Sequence, residues 1–218
     1  MNLSTLFRLF RKKNDKSHWE RVYASHPTDS LGWYQERPET SLALIRESGI
    51  AQDAPLIDVG GGTSRLAASL LDAGYTDVTV FDISGEALRA ARQELGEGAA
   101  QVKWIEGDIT TFDFERCYDL WHDRAVFHFL TEPELRERYL RNLKMTVSGE
   151  GFLVLATFGP DAPARCSGLP VVRYTPESLQ NEVGGEFELV RSVEEEHRTP
   201  GGTKQQFVYC LFRRTRVD

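Results

Sequence analysis

The run Leu56-Ile57-Asp58-Val59 passes directly into Gly60-Gly61-Gly62, and apolar residues at helical spacing, Leu66, Leu70 and Leu71, follow before Gly74. A short apolar run bounded by glycines reads as a buried strand. The spacing after it reads as a helix, with Gly74 as its stop. Strand, glycine turn and helix in that order restrict the chain to an α/β architecture, provided that the unit repeats.

It does repeat. Val78-Thr79-Val80-Phe81-Asp82 leads into a helix from Ser84 to Leu95, and Val102-Lys103-Trp104-Ile105 leads to Gly107-Asp108. Successive βα units predict a parallel sheet. A fourth strand is expected from Tyr118 to His122, then a helix with Leu135, Tyr139 and Leu143, then a fifth strand over Gly151-Phe152-Leu153-Val154-Leu155-Ala156. The helix Pro176 to Val183 precedes two strand-like runs, Phe187 to Val193 and Gln205 to Phe212. These are joined through Thr199-Pro200-Gly201-Gly202, which reads as a hairpin turn. The sheet is therefore expected to end antiparallel.

Upstream, Trp19, Val22 and Tyr23 suggest an amphipathic helix, Pro27 to Tyr34 a loop, and Pro38 to Glu47 a second helix with proline in its first turn. Residues 1–16 differ from the rest. Leu3, Leu6, Phe7 and Phe10 fall at helical spacing among Arg8, Arg11, Lys12, Lys13 and Lys16, with no acid before Asp15. This basic arm is read as a helix packed on the body, with a membrane-surface or partner-binding helix and a transit-like segment as alternatives. The expected organisation is an arm over 1–16, a helical cover over 17–50 and an α/β core over 51–218.

Composition excludes several classes of function. No apolar run approaches the roughly 18 residues of a membrane-spanning helix. Thirty-three acids against 26 bases leave a net charge of −7, which repels phosphate backbones, so a nucleic-acid partner is not expected. Cys117, Cys166 and Cys210 are too few and too scattered for a disulfide framework or a tetrahedral zinc site. No metal is expected, and a reducing cytoplasm fits.

The glycine turn carries most of the chemistry, because backbone without side chains approaches a ligand closely and presents N–H groups to it. A dinucleotide fingerprint beginning at Gly60 would need its last glycine where Arg65 stands, which disfavours NAD. Asp58, two residues before the turn, suits instead a ligand with a cationic amino acid moiety. From Asp58 to Thr63 the chain resembles the first motif of the class I S-adenosylmethionine-dependent methyltransferases, with Ser64 standing at a position usually held by glycine. Asp82, 24 residues after Asp58 at the end of the second strand, matches that family's ribose-binding acid, and Gly107-Asp108-Ile109 resembles its adenine motif.

The resemblance covers roughly residues 38–213. It implies a Rossmann-like seven-stranded sheet, mostly parallel with an antiparallel last strand and helices on both faces. It also implies S-adenosylmethionine as cofactor and S-adenosylhomocysteine as product. The cofactor-binding residues it implies are Asp58, Gly60, Gly61 and Gly62 for the methionine portion, Asp82 and Ile83 at the ribose, and Asp108 and Ile109 at the adenine.

The acceptor is read from the loops after the fourth and fifth strands. His122-Asp123-Arg124-Ala125 is similar to an element of the thiopurine and chalcogen S-methyltransferases, and less closely to the Asp-Lys-Gly-Thr of protein lysine methyltransferases. His122 and Asp123 are the candidates for proton acceptance or acceptor orientation, with a satisfied strand-end polar residue as the alternative for His122. Arg124 is expected either to bind the acceptor or to pair with Asp123. Trp33, Tyr34, Phe127 and Phe158 are the remaining candidate acceptor contacts, and Cys166 is a candidate for soft species or for loop packing.

A thiol of pKa about 8.5 needs about 2 kcal/mol to ionise at pH 7, whereas lysine, pKa about 10.4, needs roughly 4.6 kcal/mol to become a free amine. With no large insertion to dock a protein, a small acceptor is expected, first a thiol or other chalcogen compound. Protein lysine and a non-catalytic cofactor-binding module are the alternatives.

Overall fold

The computed structural model describes residues 16–215. The basic arm expected over 1–16 lies outside them except for Lys16, which belongs to helix α1, described over 16–25.

The core is the repeated unit anticipated above: β1 (Leu56–Val59), α3 (Leu66–Asp72), β2 (Val78–Asp82), α4 (Gly85–Leu95) and β3 (Val102–Glu106), preceded by α2 (Glu39–Ser48). β4 (Tyr118–Arg124), α5 (Pro133–Thr146), β5 (Val147–Phe158), α6 (Pro176–Val183), β8 (Phe187–Arg198) and β9 (Lys204–Arg214) complete it. A small hairpin, β6 (Arg165–Cys166) with β7 (Leu169–Pro170), interrupts the loop after β5. The main sheet has seven strands in the order β3-β2-β1-β4-β5-β9-β8. β9 inserts antiparallel between β5 and β8, and every other neighbouring pair is parallel. The expected fold class holds.

Buried central strands alternate their side chains between two cores. Leu56, Val80, Leu120 and Val154 face Leu42, Ile45, Leu66 and Leu70 of α2 and α3, while Ile57, Phe81, Trp121 and Leu153 face Tyr139, Leu143, Leu179 and Val183 of α5 and α6. The edge strand β8 instead carries exposed Glu188, Arg191, Glu194 and Arg198, charges that oppose pairing with another sheet. β4 runs two residues beyond its expected end at His122, so Asp123 and Arg124 are strand residues and not loop residues. Among the described residues no helix is long and apolar enough to cross a membrane.

Candidate functional site

The C-terminal ends of parallel strands in such a sheet leave a crevice where the crossovers diverge, on either side of the first strand. Here that crevice is a chamber of about 600 Å³. Its first half is lined by Gly60, Asp82, Ile83, Asp108 and Ile109, from the ends of β1, β2 and β3. Its second half is lined by Arg124, Ala125, Val126, Phe129, Cys166 and Phe207, with Trp19, Tyr23 and Trp33 over it.

The glycine turn is tight because neighbours occupy the space of its missing side chains. A Cβ on Gly60, whose φ is +68°, would fall 1.9 Å from Val126 Cγ2, and one on Gly61 would fall 2.6 Å from Asp58 Oδ2. The backbone N–H groups of both glycines donate to Phe81 O, at 2.7 and 3.2 Å, which ties the turn to β2. Gly62 lies against the Tyr23 hydroxyl, where a Cβ would come within 2.4 Å.

Asp82 Oδ1 accepts from Ser84 N–H at 2.8 Å. Burial pushes its carboxyl up to about 7, and the nearby carboxylates of Asp58 and Glu20 push the same way against the Ser84 and Gly62 N–H groups. Asp108 Oδ1 accepts from Thr110 N–H at 2.9 Å and from its hydroxyl at 2.6 Å, which shapes the turn that brings Ile109 and Thr110 to the chamber wall.

Strand alternation decides where the candidate catalytic pair points. His122 is the register partner of Asp58 and projects with it toward α2. Asp58 Oδ1 lies 2.7 Å from His122 Nδ1, and His122 Nε2 lies 2.9 Å from Ser41 Oγ. The carboxylate can only accept, so Nδ1 carries the hydrogen, and Nε2 shares a second hydrogen bond with the Ser41 hydroxyl. Asp123 projects to the opposite face. It accepts from Tyr139 O–H at 2.6 Å and from the N–H groups of Val126 and Phe127 at 2.9 and 3.2 Å. Burial raises its carboxyl to about 7 against these bonds. Neither His122 nor Asp123 lines the chamber.

The expected acceptor contacts divide. Trp33 and Arg124 line the chamber; Tyr34 lies outside it, in the open groove beside Arg37 and Arg65. The expectation for Phe127 and Phe158 is corrected, since both are wholly buried. Phe127 packs on Tyr139 and Tyr174, and Phe158 on His128 and Phe207, because their positions place them in the two sheet cores. The alternative pairing of Arg124 with Asp123 is corrected as well. Adjacent strand residues face opposite ways, and Arg124 donates instead to Tyr209 Oη at 2.8 Å and to Trp33 O at 3.0 Å, with its guanidinium 4.4 Å from the Phe207 ring centre. Cys166 lines the chamber with its thiol pKa raised by burial, which leaves it a protonated packing group.

Sequence reasoning expected a helical cover and Trp33 within it, but missed the part Trp19 and Tyr23 play in the roof. Trp19 packs edge-on against Trp33 at 5.7 Å and Phe129 at 5.1 Å, and Tyr23 packs on Trp33 at 5.8 Å. Glu20 on the same helix accepts from Gly85 N–H at 3.0 Å and from Glu86 N–H at 3.1 Å, where the α4 N-terminus attracts a carboxylate. Lys16 pairs with Glu106 at the end of β3. Trp19 and Tyr23 one helical turn apart, with Glu20 beside them, were the available signal; Phe207 had none, since only strand pairing brings it to the site.

Residues 56–151 match the family description of a methyltransferase domain. Over 211 residues the chain is 21% identical to EEF1A lysine methyltransferase 2 of Homo sapiens, covering 90% of this chain and 84% of that protein. Of the other curated relatives it matches, the chain spans between 14% and 28% of their length. Among solved structures it is similar to that described for conversion of a disulfide bond into a thioacetal group during echinomycin biosynthesis, with a TM-score of 0.71, 17% identity and coverage of 92% and 91% of the two chains. It is also similar to the 1,6-didemethyltoxoflavin-N1-methyltransferase of Burkholderia thailandensis, solved with 1,6-didemethyltoxoflavin and S-adenosylhomocysteine bound. There the TM-score is 0.65, with 20% identity and coverage of 99% and 91%. At these identities the structural likeness speaks for the fold.

Proposed function

We propose that this chain, which belongs to the class I S-adenosylmethionine-dependent methyltransferases, methylates a small acceptor held in the aromatic half of the chamber, first a thiol or other chalcogen compound. The cofactor, when bound, would supply a sulfonium methyl group: the acceptor's lone pair would bond to the methyl carbon in line as the carbon–sulfur bond breaks, leaving S-adenosylhomocysteine as the neutral thioether. The protein's part is to position the two reactants and exclude water.

The residues present fit that cofactor. Glycine at 60 and 61 keeps the turn clear of side chains that would collide with Val126 and Asp58, and the buried, unpartnered Oδ2 of Asp58 is a ready acceptor for the ammonium of the cofactor's methionine portion. Asp82, once ionised, offers two oxygens to the ribose diol, and Ile83 and Ile109 cover the adenine, whose amine donates to Asp108. His122 acts as a positioning residue that orients Asp58. Asp123 with Tyr139 orients the turn from Ala125 to Phe127 that floors the acceptor half.

The carrying observation is the character of that half. Trp19, Trp33, Phe129 and Phe207 wall it and Leu169 and Pro170 close it, while the lining carboxylates besides Asp82 and Asp108 are Glu132 and Glu134, in the segment that follows Phe129. An acceptor entering it must bring its own lone pair near pH 7. A thiol does so for about 2 kcal/mol, whereas a lysine ammonium requires roughly 4.6 kcal/mol. The likeness to a human lysine methyltransferase along nearly the whole chain supports a second reading, a lysine side chain inserted between the same aromatic rings.

Incubation with methyl-labelled S-adenosylmethionine and two acceptor pools, a small-molecule filtrate and the retained protein of an extract, separates the two. Label in the filtrate is the expected result. Label on a protein band, lost when one lysine of that protein is changed to arginine, would overturn it in favour of the second reading.

A further inference from the structure

Arg124 stands between two spaces. Its side chain lines the main chamber and also a separate compartment of about 30 Å³ beneath the glycine turn, bounded by Asp58, Gly60, Gly61, Thr63 and Ser64. About 10–15 Å³ holds one water-sized atom, so the compartment admits a group with two oxygens and little more. Two buried polar atoms on its lining residues lack a hydrogen-bond partner, Asp58 Oδ2 and Arg124 Nη2. Buried polar groups are nearly always satisfied, and the exceptions call for a ligand, a water or a functional role. Here one exception is a carboxylate oxygen and the other a guanidinium N–H, which together complement a zwitterion: an ammonium and a carboxylate joined by one carbon.

The geometry points to Arg124 as the anchor for the α-carboxylate of the methyl donor, with Nη2 donating to it while Asp58 Oδ2 receives the neighbouring ammonium. The proposal rests on the reading that the donor binds at the glycine turn. It withdraws Arg124 from the acceptor contacts expected from the sequence. The remainder of the guanidinium is already engaged: Nε donates to Tyr209, Nη1 donates to the Trp33 carbonyl, and its carbon lies over the Phe207 ring. Tyr209 in turn donates to Glu195 Oε1 at 3.3 Å, so the charge of Arg124 is balanced one hydrogen bond away and Nη2 is left for a ligand. Fixed by these contacts, a guanidinium meets a carboxylate without further ordering of its own side chain. The Trp33 carbonyl also links the donor's carboxylate end to the aromatic roof, so a donor that occupies the compartment steadies the wall against which the acceptor packs.

Calorimetric binding of S-adenosylhomocysteine and of its decarboxylated analogue, the same thioether ending in a primary amine, tests this without turnover. Wild-type protein is expected to prefer S-adenosylhomocysteine by about thirtyfold, the scale of one charge-assisted hydrogen bond. Arg124→Met, which keeps the stem and removes the charge, is expected to lose that factor against S-adenosylhomocysteine and to bind the analogue as wild type does. Arg124→Lys is expected to recover part of the preference, and it stands in should Arg124→Met not fold. Equal affinity of wild type for the two ligands, or equal weakening of both by Arg124→Met, would overturn the carboxylate anchor while leaving donor binding intact. Wild type binding neither ligand would overturn the donor reading on which the anchor rests.

Discussion

His122 Nδ1 donates to Asp58 Oδ1 across 2.7 Å, between residues that are register partners on adjacent parallel strands. Both side chains are 3% exposed, and Ser41 closes the far side of the imidazole. A histidine held at both ring nitrogens inside the fold orients a carboxylate; it does not reach an acceptor. His122→Leu is expected to lower stability by about 2–3 kcal/mol, since it strips a buried carboxylate of its donor, and to weaken S-adenosylhomocysteine binding about tenfold. Urea unfolding and calorimetry measure the two. Turnover lost with both quantities unchanged would return His122 to acceptor chemistry.

Asp82 gives donor binding a pH dependence. Its folded-state carboxyl is raised to about 7 by burial among Asp58 and Glu20, whereas two ribose hydroxyls donate to it only when it is ionised. Affinity for S-adenosylhomocysteine is therefore expected to rise about tenfold between pH 6 and pH 8, with up to about one proton released on binding near pH 6. Calorimetry in buffers of different ionisation enthalpy counts that proton. Asp82→Asn should bind weakly and without the pH dependence; an unaltered profile in that variant would remove Asp82 from the ribose site.

Glu20 fastens the roof. Its carboxylate accepts from Gly85 N–H and Glu86 N–H and from the Ser84 hydroxyl, at the positive end of α4. Glu20→Ala is expected to free helix 16–25 while leaving the sheet intact. Limited proteolysis should then cut within that helix at least about tenfold faster, with a shift of under about 1 kcal/mol in global stability, because local opening and global unfolding are separate equilibria. Cutting at the wild-type rate would show that the aromatic contacts of Trp19 and Tyr23 suffice to hold it.

Local signals made much of this legible in advance. The glycine turn, the acids near the ends of β2 and β3 and the short apolar strands are encoded within a few residues, and the parallel sheet and the half of the chamber beside Gly60, Asp82 and Asp108 follow from them, whereas the insertion of an antiparallel last strand came from the family resemblance. The acceptor half was read poorly because it depends on direction and register. Extending β4 by two residues turns His122 and Asp123 to opposite cores, and only the pairing of β9 with β5 places Phe207 and Tyr209 beneath Arg124. Phe127 and Phe158 looked like acceptor contacts from their positions after strands; their side chains belong to the cores those strands serve.

Ala125 carries the strain of this arrangement. Its φ of +72° is left-handed, a region that disfavours a side chain by roughly 1–2 kcal/mol, and it lines the chamber immediately after β4. The turn is held from both ends: Ala125 N–H donates to Ala156 O at 2.9 Å, and Asp123 accepts from the next two N–H groups while Tyr139 braces its carboxylate. Ala125→Gly should relieve the strain and raise stability by roughly 0.5–1 kcal/mol, with turnover falling if the floor needs rigidity. Ala125→Val should lower stability, since branching at Cβ worsens the same conformation. Asp123→Asn keeps the volume but cannot accept from Tyr139, Val126 and Phe127 together, so it should cost about 1–3 kcal/mol and raise the acceptor KM more than it weakens S-adenosylhomocysteine binding. Steady-state kinetics beside calorimetry separates those effects, and equal loss of donor and acceptor affinity in Asp123→Asn would show that the turn supports the whole chamber and not its acceptor floor.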